Sequence, residues 1–308
     1  MDKIKIKSPS TVANLSCGYD ILGLCLEEPF DYIEIEKIKT KEVKIDILDS
    51  QFSDIPSEPK QNTGGIPALL IQENMKLDFG FKIKIKKGIP LCGGMGSSAA
   101  TAAGVVYGIN KILGDVLSIH EMIEYALEGE KISSDTPHAD NIAPCILGGL
   151  VLVKETYPLS FVKLPIGPFY LALLHPDIKI NTKHAREILP QKIFLKDAVK
   201  QWGNISALTY AFTTNDIKLI SSSMKDHIIE PVRSKLIYGF DAIKKAAINE
   251  GAIGSSISGS GPTIFALCDS KNSALKVISA MKKSADNNKL KFNSYVSPIN
   301  HTGPKIVD

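Results

Sequence analysis

Several stretches in the first third of the chain alternate strictly between isoleucine and charged residues. The alternation occurs in KIKIK at 3–7, YIEIEKI at 32–38, VKIDIL at 43–48 and FKIKIK at 81–86. A period of two residues predicts β-strands that place isoleucine on one face and charge on the other. We therefore expect a sheet with one solvated side, on which the lysines also protect any exposed edge.

Helical patterns lie between and after these strands. Residues 64–76 and 97–113 are predicted helices, and the second is so rich in alanine and glycine that another element can approach its backbone closely. Ser118 and Glu121 form a capping box at the start of a third helix. The apolar stripe predicted for that helix consists of Ile119, Met122, Ile123, Ala126 and Leu127.

The rest of the chain divides at a proline-rich segment. Residues 49–61 are polar and contain prolines, which predicts a surface loop, and residues 150–153 are predicted to form a buried strand. Three prolines interrupt residues 154–168, the best candidate for a crossing between domains. A strand at 169–175, helices near 183–189, 196–213, 216–228 and 239–250, and a glycine-rich turn with its strand at 254–267 then follow. We predict two αβ domains, residues 1–158 and 159–308.

Composition excludes several classes of protein. With 44% apolar and 22% charged residues, the 308-residue chain is typical of a soluble globular protein. The net charge of +3 is too small to indicate binding to nucleic acid or to a membrane surface. No apolar run has the length of a membrane span, and the start resembles a strand more than a signal peptide. Five dispersed cysteines without CxxC spacing disfavour disulfides and zinc and favour the cytoplasm.

A glycine-rich loop precedes the alanine-rich helix. Residues 90–104 read PLCGGMGSSAATAAG, so free backbone N–H groups and a helix start occur together, as in sites that bind anions. The loop lacks the GKS/T ending of the common P-loop. Ser97 and Ser98 could cap the helix, contact phosphate or reach a metal ion. The alternative is a glycine-rich turn with a serine N-cap and no ligand.

One carboxylate extends an apolar stripe. Glu130 follows Ala126 and Leu127 by four and three residues, and thus projects from the buried face of the predicted helix. A buried carboxylate near a helix C-terminus needs a cationic partner, and Mg²⁺ beside bound phosphates would serve. In the alternative, the helix frays first and Glu130 faces water.

Other candidate residues lie in polar segments. The stretch PHADNIAPCILGG is predicted to be a loop in which Asp140 could accept a proton and Asn141 could orient a substrate, although an Asx-turn would also explain it. Asn14 and Asp20 are separated by a turn at Gly18. Among basic residues that are nearly all lysine, Arg186 and Arg233 suggest carboxylate or phosphate binding, although each alone is more often part of a surface salt bridge.

Taken together, these segments resemble the GHMP kinase superfamily. The central signature P-x-x-x-G-x-G-S-S-A-A is matched by Pro90, Gly94, Gly96, Ser97, Ser98, Ala99 and Ala100. SPSTVANLSCGYDILGL matches the N-terminal motif and ISGSGPT matches the C-terminal glycine motif, in the expected order. The resemblance implies an α+β fold of two domains. The first would be an αβ domain like that of ribosomal protein S5, and the second a ferredoxin-like αβ sandwich.

Within the superfamily, the homoserine kinase branch is most similar. Its characteristic segments are matched by ANLSCGYD, HADNIAPCILGG, TKHAREILP and EPVRSKLIYGF, with Ser16, Tyr19 and Tyr238 as mild departures. This resemblance implies ATP-dependent phosphorylation of L-homoserine to O-phospho-L-homoserine, a step towards threonine. It also implies a cytoplasmic homodimer.

The resemblance assigns roles to individual residues. For ATP these are Asn62 at the adenine, the loop residues Pro90, Leu91, Cys92, Gly93, Gly94, Met95, Gly96, Ser97, Ser98, Ala99 and Ala100, and the turn residues Ser258, Gly259, Ser260 and Gly261. Ser98 and Glu130 would hold Mg²⁺. Asn14, Asp20, His138, Arg186 and Arg233 would bind the amino acid. The catalytic candidates are Asp140, Asn141 and Thr182. Asp140 matches the base of mevalonate kinases, but we favour orientation of the hydroxyl by Asn141.

Two alternatives remain open at this stage. One is a GHMP kinase for another small alcohol, such as shikimate or a mevalonate-like acid. The other is a non-catalytic nucleotide-binding homologue, in which damage to the phosphate loop or to Glu130 would be expected. A dehydrogenase is excluded, because the glycine loop is not part of a βαβ unit with a distant acidic residue.

Overall fold

The alternating segments pair into one sheet in the computed structural model, which describes residues 2–48, 55–133 and 138–307. The strands are β1 (Lys3–Ala13), β2 (Leu22–Ile38), β3 (Val43–Ile47) and β4 (Gly80–Lys86). They lie in the order β1-β2-β4-β3, with only β3 and β4 parallel among these neighbours. All four predicted strands are confirmed, and β1 and β2 continue beyond the alternating residues.

The two faces of this sheet separate as the pattern predicts. Glu34 on β2 forms ion pairs with Lys3 at 3.0 Å and with Lys84 at 3.2 Å, and the two lysines lie on the two neighbouring strands. The opposite face is apolar and buried, and it is formed by Ile4, Ile6, Ile33, Ile35, Ile83 and Ile85. The charged face is solvated, and the isoleucine face packs against helices.

Helices α1 (Gly65–Asn74) and α2 (Ser97–Leu113) pack on the sheet, and α3 (Ile119–Ser133) packs on these two helices. A Cβ at Gly104 of α2 would lie 2.5 Å from Ile33 Cδ1, so glycine allows the close helix-to-sheet approach that the sequence predicts. Ser118 and Glu121 form the predicted capping box, in which the Ser118 N–H donates to Glu121 Oε2 at 2.8 Å and the Glu121 N–H donates to Ser118 Oγ at 3.3 Å. The prediction of the apolar stripe is confirmed for Met122, Ile123, Ala126 and Leu127, which are buried. It is wrong for Ile119 at the start of α3, which is 47% exposed.

A further helix, α4 (Ala139–Leu147), occupies the segment that was predicted to be a loop. It contains Pro144, which has no backbone N–H to donate to the carbonyl group of Asp140 four residues earlier. That carbonyl oxygen instead faces Gly23 of β2, where a Cβ would lie only 1.7 Å away. The cluster of polar residues at its start suggested a loop, but the packing of α4 against β2 maintains the helix.

The proline-rich segment contains a strand of the first sheet. β5 (Leu150–Glu155) confirms the predicted buried strand and pairs with β2, and β6 (Ser160–Leu164) pairs with β5. The division at residue 158 stays a prediction, and β6 lies on the far side of it while extending the first sheet. Of the predicted loop at 49–61, residues 49–54 lie outside the described part of the chain, and residues 59–61 form a 3-10 helix.

The second half forms an antiparallel four-stranded sheet. Its strands are β7 (Tyr170–Pro176), β8 (Gly254–Ile257), β9 (Ile264–Cys268) and β10 (Phe292–Pro298), in the order β10-β7-β9-β8. This order and the helices between the strands give the expected ferredoxin-like arrangement. A last strand, β11 (Lys305–Val307), returns to pair with β1.

Helices α5 (Thr182–Glu187), α6 (Leu195–Thr214), α7 (Ile217–Ser223), α8 (Glu230–Arg233), α9 (Phe240–Asn249) and α10 (Lys271–Asn287) complete the fold. The helix predicted at 216–228 is shorter than expected. It ends at Ser223 because the Asp226 carboxylate accepts hydrogen bonds from the N–H groups of residues 228–230 at 2.9–3.0 Å and so starts a new turn. None of the described helices has the length and apolar character that a bilayer-spanning helix needs.

Alternate residues of β7 belong to two cores. Leu171 and Leu173 pack into the core of the first sheet and α2, whereas Ala172 and Leu174 pack under α9 and α10. The second sheet therefore lies between the two cores and against the first half of the chain. The loop before α2 and the turn between β8 and β9 meet where the two halves adjoin.

Candidate active site

The loop from Pro90 to Gly96 links β4 to α2 and depends on glycine. Gly94 and Gly96 have φ angles of 72° and 65°, which side chains with a Cβ rarely adopt. A Cβ on Gly94 would lie 2.2 Å from the Ser258 carbonyl oxygen in the turn between β8 and β9. Ser258 Oγ in turn donates to the Gly94 carbonyl oxygen at 2.6 Å. The two glycine-rich segments of the sequence thus support each other.

The start of α2 has no side-chain cap. Gly96 is the N-cap residue and offers no oxygen to the first N–H groups of the helix, which leaves them suited to an anion. The suggested serine cap is not formed. Ser97 is buried and its hydroxyl donates to the Ile89 carbonyl oxygen at 3.2 Å, while Ser98 Oγ donates to Glu130 Oε1 at 2.9 Å.

Glu130 faces inward, as the helical period predicts. It is only 4% exposed, and His138 Nδ1 lies 3.7 Å from its Oε1. Burial lowers the pKa of His138, but the hydrogen bond with Glu130 and the nearby carboxylates outweigh it, so that the pKa is raised. The described residues contain no cluster of three or more His, Cys, Asp or Glu side chains suited to a metal ion. A metal ion beside Ser98 and Glu130 would need further oxygens from phosphate and water.

The predicted amino-acid-binding residues converge around Asp20. Its backbone N–H donates to Asn14 Oδ1 at 3.0 Å, and Asn14 Nδ2 donates to the Gly259 carbonyl oxygen at 2.9 Å. Arg186 Nη2 lies 2.8 Å from Asp20 Oδ2 and 3.3 Å from His138 Nε2. The segment after β1, the start of α4 and α5 therefore form one charged cluster.

Arg233 is the second cation of this cluster. It is buried, and its Nε and Nη1 donate to the carbonyl oxygens of Ala185 at 3.1 Å and Gly259 at 3.0 Å. The ring of Tyr19 lies 5.1 Å from the Arg233 guanidinium carbon and 5.7 Å from that of Arg186. Because backbone carbonyls fix its plane, Arg233 is held rigidly for a planar anionic group.

The three predicted catalytic residues border the same space. Asp140 is 2% exposed. Burial, followed by the negative charge of Asp20, raises its pKa from 3.8 to about 7. Asn141 lies beside it in the first turn of α4, and Thr11 Oγ1 donates to Asn141 Oδ1 at 2.7 Å. Thr182 begins α5, with its hydroxyl 3.4 Å from that of Ser260.

One cavity of about 1030 Å³ joins these parts. It is lined by most of the predicted site residues, namely Asn14, Asp20, Asn62, Pro90, Leu91, Cys92, Gly93, Gly94, Gly96, Ser97, Ser98, Ala99, Glu130, His138, Asp140, Asn141, Thr182, Arg186, Arg233, Gly259 and Ser260. Four others do not line it. Met95 and Ala100 are in the core, and Ser258 and Gly261 support the loop from behind.

Asn62 borders the cavity with its amide already engaged. Its Nδ2 donates to the Pro56 carbonyl oxygen at 2.7 Å, and its Oδ1 accepts from the Gly64 N–H at 2.9 Å. The side chain is thus held by its own loop, and its role at adenine stays a prediction.

Sequence reasoning missed several residues of the site. Thr11 and Tyr19 stand within the N-terminal motif, but their contacts to Asn141 and to the arginines come from distant segments. Lys87 and Asp31 form a buried ion pair beneath the phosphate loop, where Lys87 also donates to the Ser97 carbonyl oxygen at 2.8 Å. His175, the last residue but one of β7, lies beside Gly93, and burial lowers its pKa. No local pattern marks these partners.

Comparisons with known proteins agree with this geometry. A family model described as "GHMP kinases N terminal domain" matches residues 66–149, and one described as "GHMP kinases C terminal" matches residues 208–287. A homoserine kinase of Chlorobium phaeovibrioides is 38% identical, with both chains covered completely. The chain belongs to the homoserine kinase family of GHMP kinases. A homoserine kinase of Methanococcus vannielii is 39% identical, over 87% of this chain and 88% of the relative.

Solved structures of the family agree with the fold. The crystal structure of a homoserine kinase from Cytophaga hutchinsonii has a TM-score of 0.96 and 44% identity, covering all of this chain and 98% of that one. An L. major mevalonate kinase crystallised with R-mevalonate has a TM-score of 0.72 over 95% of each chain, but at 14% identity it shows the fold alone. The predicted fold class is confirmed, and membership in a kinase family implies the use of ATP.

Proposed function

We propose that this protein transfers the γ-phosphoryl group of ATP to the side-chain hydroxyl of L-homoserine, giving O-phospho-L-homoserine for threonine biosynthesis. The observation that carries the proposal is a single cavity that joins an uncapped helix start to a charged cluster. Anionic phosphates suit the first end. An amino acid, with one carboxylate and one ammonium group, suits the second, where Arg186 and Arg233 lie beside Asp20.

The nucleotide end of the proposal rests on the loop before α2. Backbone N–H groups at the helix start would hold the phosphates, and the left-handed glycines Gly94 and Gly96 let the chain approach them without side-chain clashes. Asn62, which also lines the cavity, is our candidate for the adenine side. Phosphoryl transfer needs positioned charge more than covalent help from the protein.

Mg²⁺ is part of the proposal. Ser98 and Glu130 fit it, because a hydroxyl and a buried carboxylate 2.9 Å apart beside a phosphate loop are the oxygen donors that this ion prefers. When bound with the nucleotide, Mg²⁺ would neutralise phosphate charge. Side chains of α2 and α3 hold these two oxygens together.

The amino-acid end of the proposal assigns the arginines to the substrate carboxylate. Arg233 is fixed by two backbone carbonyls, and Arg186 pairs with Asp20. Asn14, Asp20 and His138 would surround the ammonium group. Binding of the carboxylate and ammonium groups, away from the reacting hydroxyl, would orient that hydroxyl in line with the γ-phosphorus. Binding energy would thus contribute to the rate of transfer.

At the hydroxyl we favour orientation over proton abstraction. Asn141 and Thr182 line the cavity and offer neutral polar groups. Asp140 has the raised pKa that a general base requires. Because losing a general base costs about 10²–10⁴ in rate, a smaller loss of kcat in Asp140→Asn would exclude that role.

A substrate panel tests the proposed function. Initial rates of ADP release would be measured with ATP and Mg²⁺ and with L-homoserine, D-homoserine, L-serine, mevalonate or shikimate. We expect the highest kcat/KM for L-homoserine. A preference for mevalonate or shikimate would contradict the substrate assignment, and the absence of turnover with every alcohol would favour a non-catalytic homologue.

We also propose a cytoplasmic homodimer. The five cysteines, Cys17, Cys25, Cys92, Cys145 and Cys268, are free thiols, which supports a reducing compartment. One face of α6 exposes Leu195, Val199, Trp202 and Tyr210, and an apolar stripe of this kind is typical of an interface. Light scattering in solution would measure the mass of the assembly.

A further inference from the structure

We propose that Thr11 is a positioning residue that fixes the side-chain amide of Asn141, so that Asn141 presents its Nδ2 donor to the reacting oxygens. The inference rests on the phosphotransfer function proposed above. It assigns a role to Thr11 of β1, which lies within the N-terminal motif but is not among the predicted site residues.

Three elements meet at the Thr11 side chain. Thr11 is completely buried, and its backbone N–H donates to the Met95 carbonyl oxygen of the phosphate loop at 3.2 Å. Its hydroxyl donates to Asn141 Oδ1 on α4 at 2.7 Å. A Cβ on Gly96 would lie 2.1 Å from this hydroxyl and 3.0 Å from Asn141 Oδ1. The loop, the strand and the helix are therefore fixed relative to one another at this hydroxyl.

The contact with Thr11 engages one of the two polar atoms of the Asn141 amide, the oxygen Oδ1. Asn141 is half-buried and lines the cavity, and its side chain makes no other hydrogen bond among the described residues. Because Oδ1 is held by Thr11, Nδ2 is the polar atom left for a substrate. An amide nitrogen donates and cannot accept a proton.

The chemical consequence is a specific role for Asn141. A donor near the transferred group would stabilise the negative charge of a phosphoryl oxygen or of the attacking oxygen. If the amide were reversed, Oδ1 would face those oxygens and repel them. Thr11 would thus act through Asn141 on the rate of transfer, with little effect on ground-state binding of either substrate.

The test compares a substitution that removes the Thr11 hydroxyl with one that keeps it. Thr11→Val keeps the shape and removes the hydroxyl, and we expect kcat to fall on the order of tenfold to a hundredfold with little change in either KM. Thr11→Ser restores the donor and should recover most of kcat. Ser10→Ala is the matched control, because the neighbouring buried Ser10 hydroxyl has no hydrogen-bond partner among the described residues.

A double-mutant cycle separates coupling from a general loss of structure. In an Asn141→Ala background, Thr11→Val should cause no further loss of kcat, whereas independent, multiplying losses would overturn the inference. Asn141→Asp, which needs no change at Thr11, replaces the donor by an acceptor and should be at least as impaired as Asn141→Ala. Retained activity in Asn141→Asp would also overturn the inference, even if Thr11→Val failed to fold.

These outcomes are distinct from failure of the proposed function. If wild-type protein transferred no phosphoryl group to homoserine, the proposed function itself would fail. If wild-type protein were active and Thr11→Val had unchanged kcat, only the role of Thr11 would fail.

Discussion

Ser98 Oγ donates a hydrogen bond to Glu130 Oε1 over 2.9 Å, which links the first turn of α2 to the last part of α3. The two residues are separated by 32 positions in the sequence. The contact places a buried carboxylate beside the phosphate loop, where His138 lies 3.7 Å from it and where we propose that Mg²⁺ binds. Removing the charge of Glu130 therefore tests the proposed metal site.

Glu130→Gln should impair use of Mg²⁺ while leaving the fold intact. A neutral amide oxygen is a weaker ligand for Mg²⁺ than a carboxylate. Because the removal of even an outer-shell partner lowers metal affinity roughly 10–100-fold, we expect the affinity for Mg²⁺ to fall by at least this factor. Initial rates measured over a series of Mg²⁺ concentrations would show a higher requirement. Glu128→Gln is the control, because Glu128 lies on the same helix and pairs with Lys131 at the surface. Equal Mg²⁺ dependence in wild-type protein and Glu130→Gln would refute the site.

Arg233→Lys should weaken binding of homoserine and spare ATP. Lysine cannot reproduce the planar guanidinium that Ala185 and Gly259 hold in place. The loss of a hydrogen bond to a charged group corresponds to a rise in the KM for homoserine of roughly 10–100-fold. Steady-state kinetics with each substrate varied would measure it, with the exposed Lys235→Ala as control. Equal losses for homoserine and ATP would contradict the assignment.

Asp140 should make the folded protein less stable as the pH rises, which is opposite to the usual effect of a carboxyl group. Burial, with the charge of Asp20, raises its folded-state pKa from 3.8 to about 7, while His138 and Arg186 partly oppose the rise. The folded protein thus binds this proton more tightly than the unfolded chain. Below the unfolded pKa the carboxyl group is neutral in both states, so the burial of its charge costs no stability. As the pH rises from the unfolded to the folded pKa, the unfolded chain loses the proton first, and the free energy of unfolding falls.

Asp140→Asn removes this titration. Without ligands, the variant should gain stability relative to wild-type protein as the pH increases from about 4 to about 8, which urea unfolding at several pH values would show. A constant difference between the two proteins across this range would mean that Asp140 ionises in the fold as it does in water.

Lys87 and Asp31 should show the behaviour of a buried ion pair. Both side chains are almost completely inaccessible, and Asp31 Oδ1 also accepts from the N–H groups of Gly88 and Ile89. Lys87→Met leaves a buried charge without its partner and should lower the free energy of unfolding by about 3–5 kcal/mol. Adding Asp31→Asn should restore much of the loss, as urea denaturation would show. A double variant less stable than Lys87→Met would contradict this account.

The periodicity of the sequence predicted those features that are determined within a single helix or strand. The burial of Glu130 follows from the 3.6-residue repeat of α3, and the strands of the first sheet follow from the alternation of isoleucine and charge. The same reasoning failed at Ile119, the first residue of α3, which is 47% exposed. It also failed at α4, where a cluster of polar residues hides a helix that packing against Gly23 stabilises.

Contacts between distant segments could not be read from the sequence. Thr11 and Asn141 are 130 positions apart, and Asp20 and Arg186 are 166 apart. Nothing in either local sequence indicates that these side chains meet, because the pairing depends on how the two halves of the chain pack. The family resemblance placed Asp20, Arg186 and Asn141 in one site, but it gave no role to Thr11.

Product identification tests the central claim most directly. Wild-type protein would be incubated with ATP, Mg²⁺ and ¹³C-labelled L-homoserine, and the products followed by ³¹P and ¹³C NMR. We predict a phosphate monoester whose phosphorus couples to the hydroxyl-bearing carbon of homoserine, formed in equal amount to ADP. Release of ADP with inorganic phosphate alone, and with the homoserine carbons unchanged, would contradict the claim.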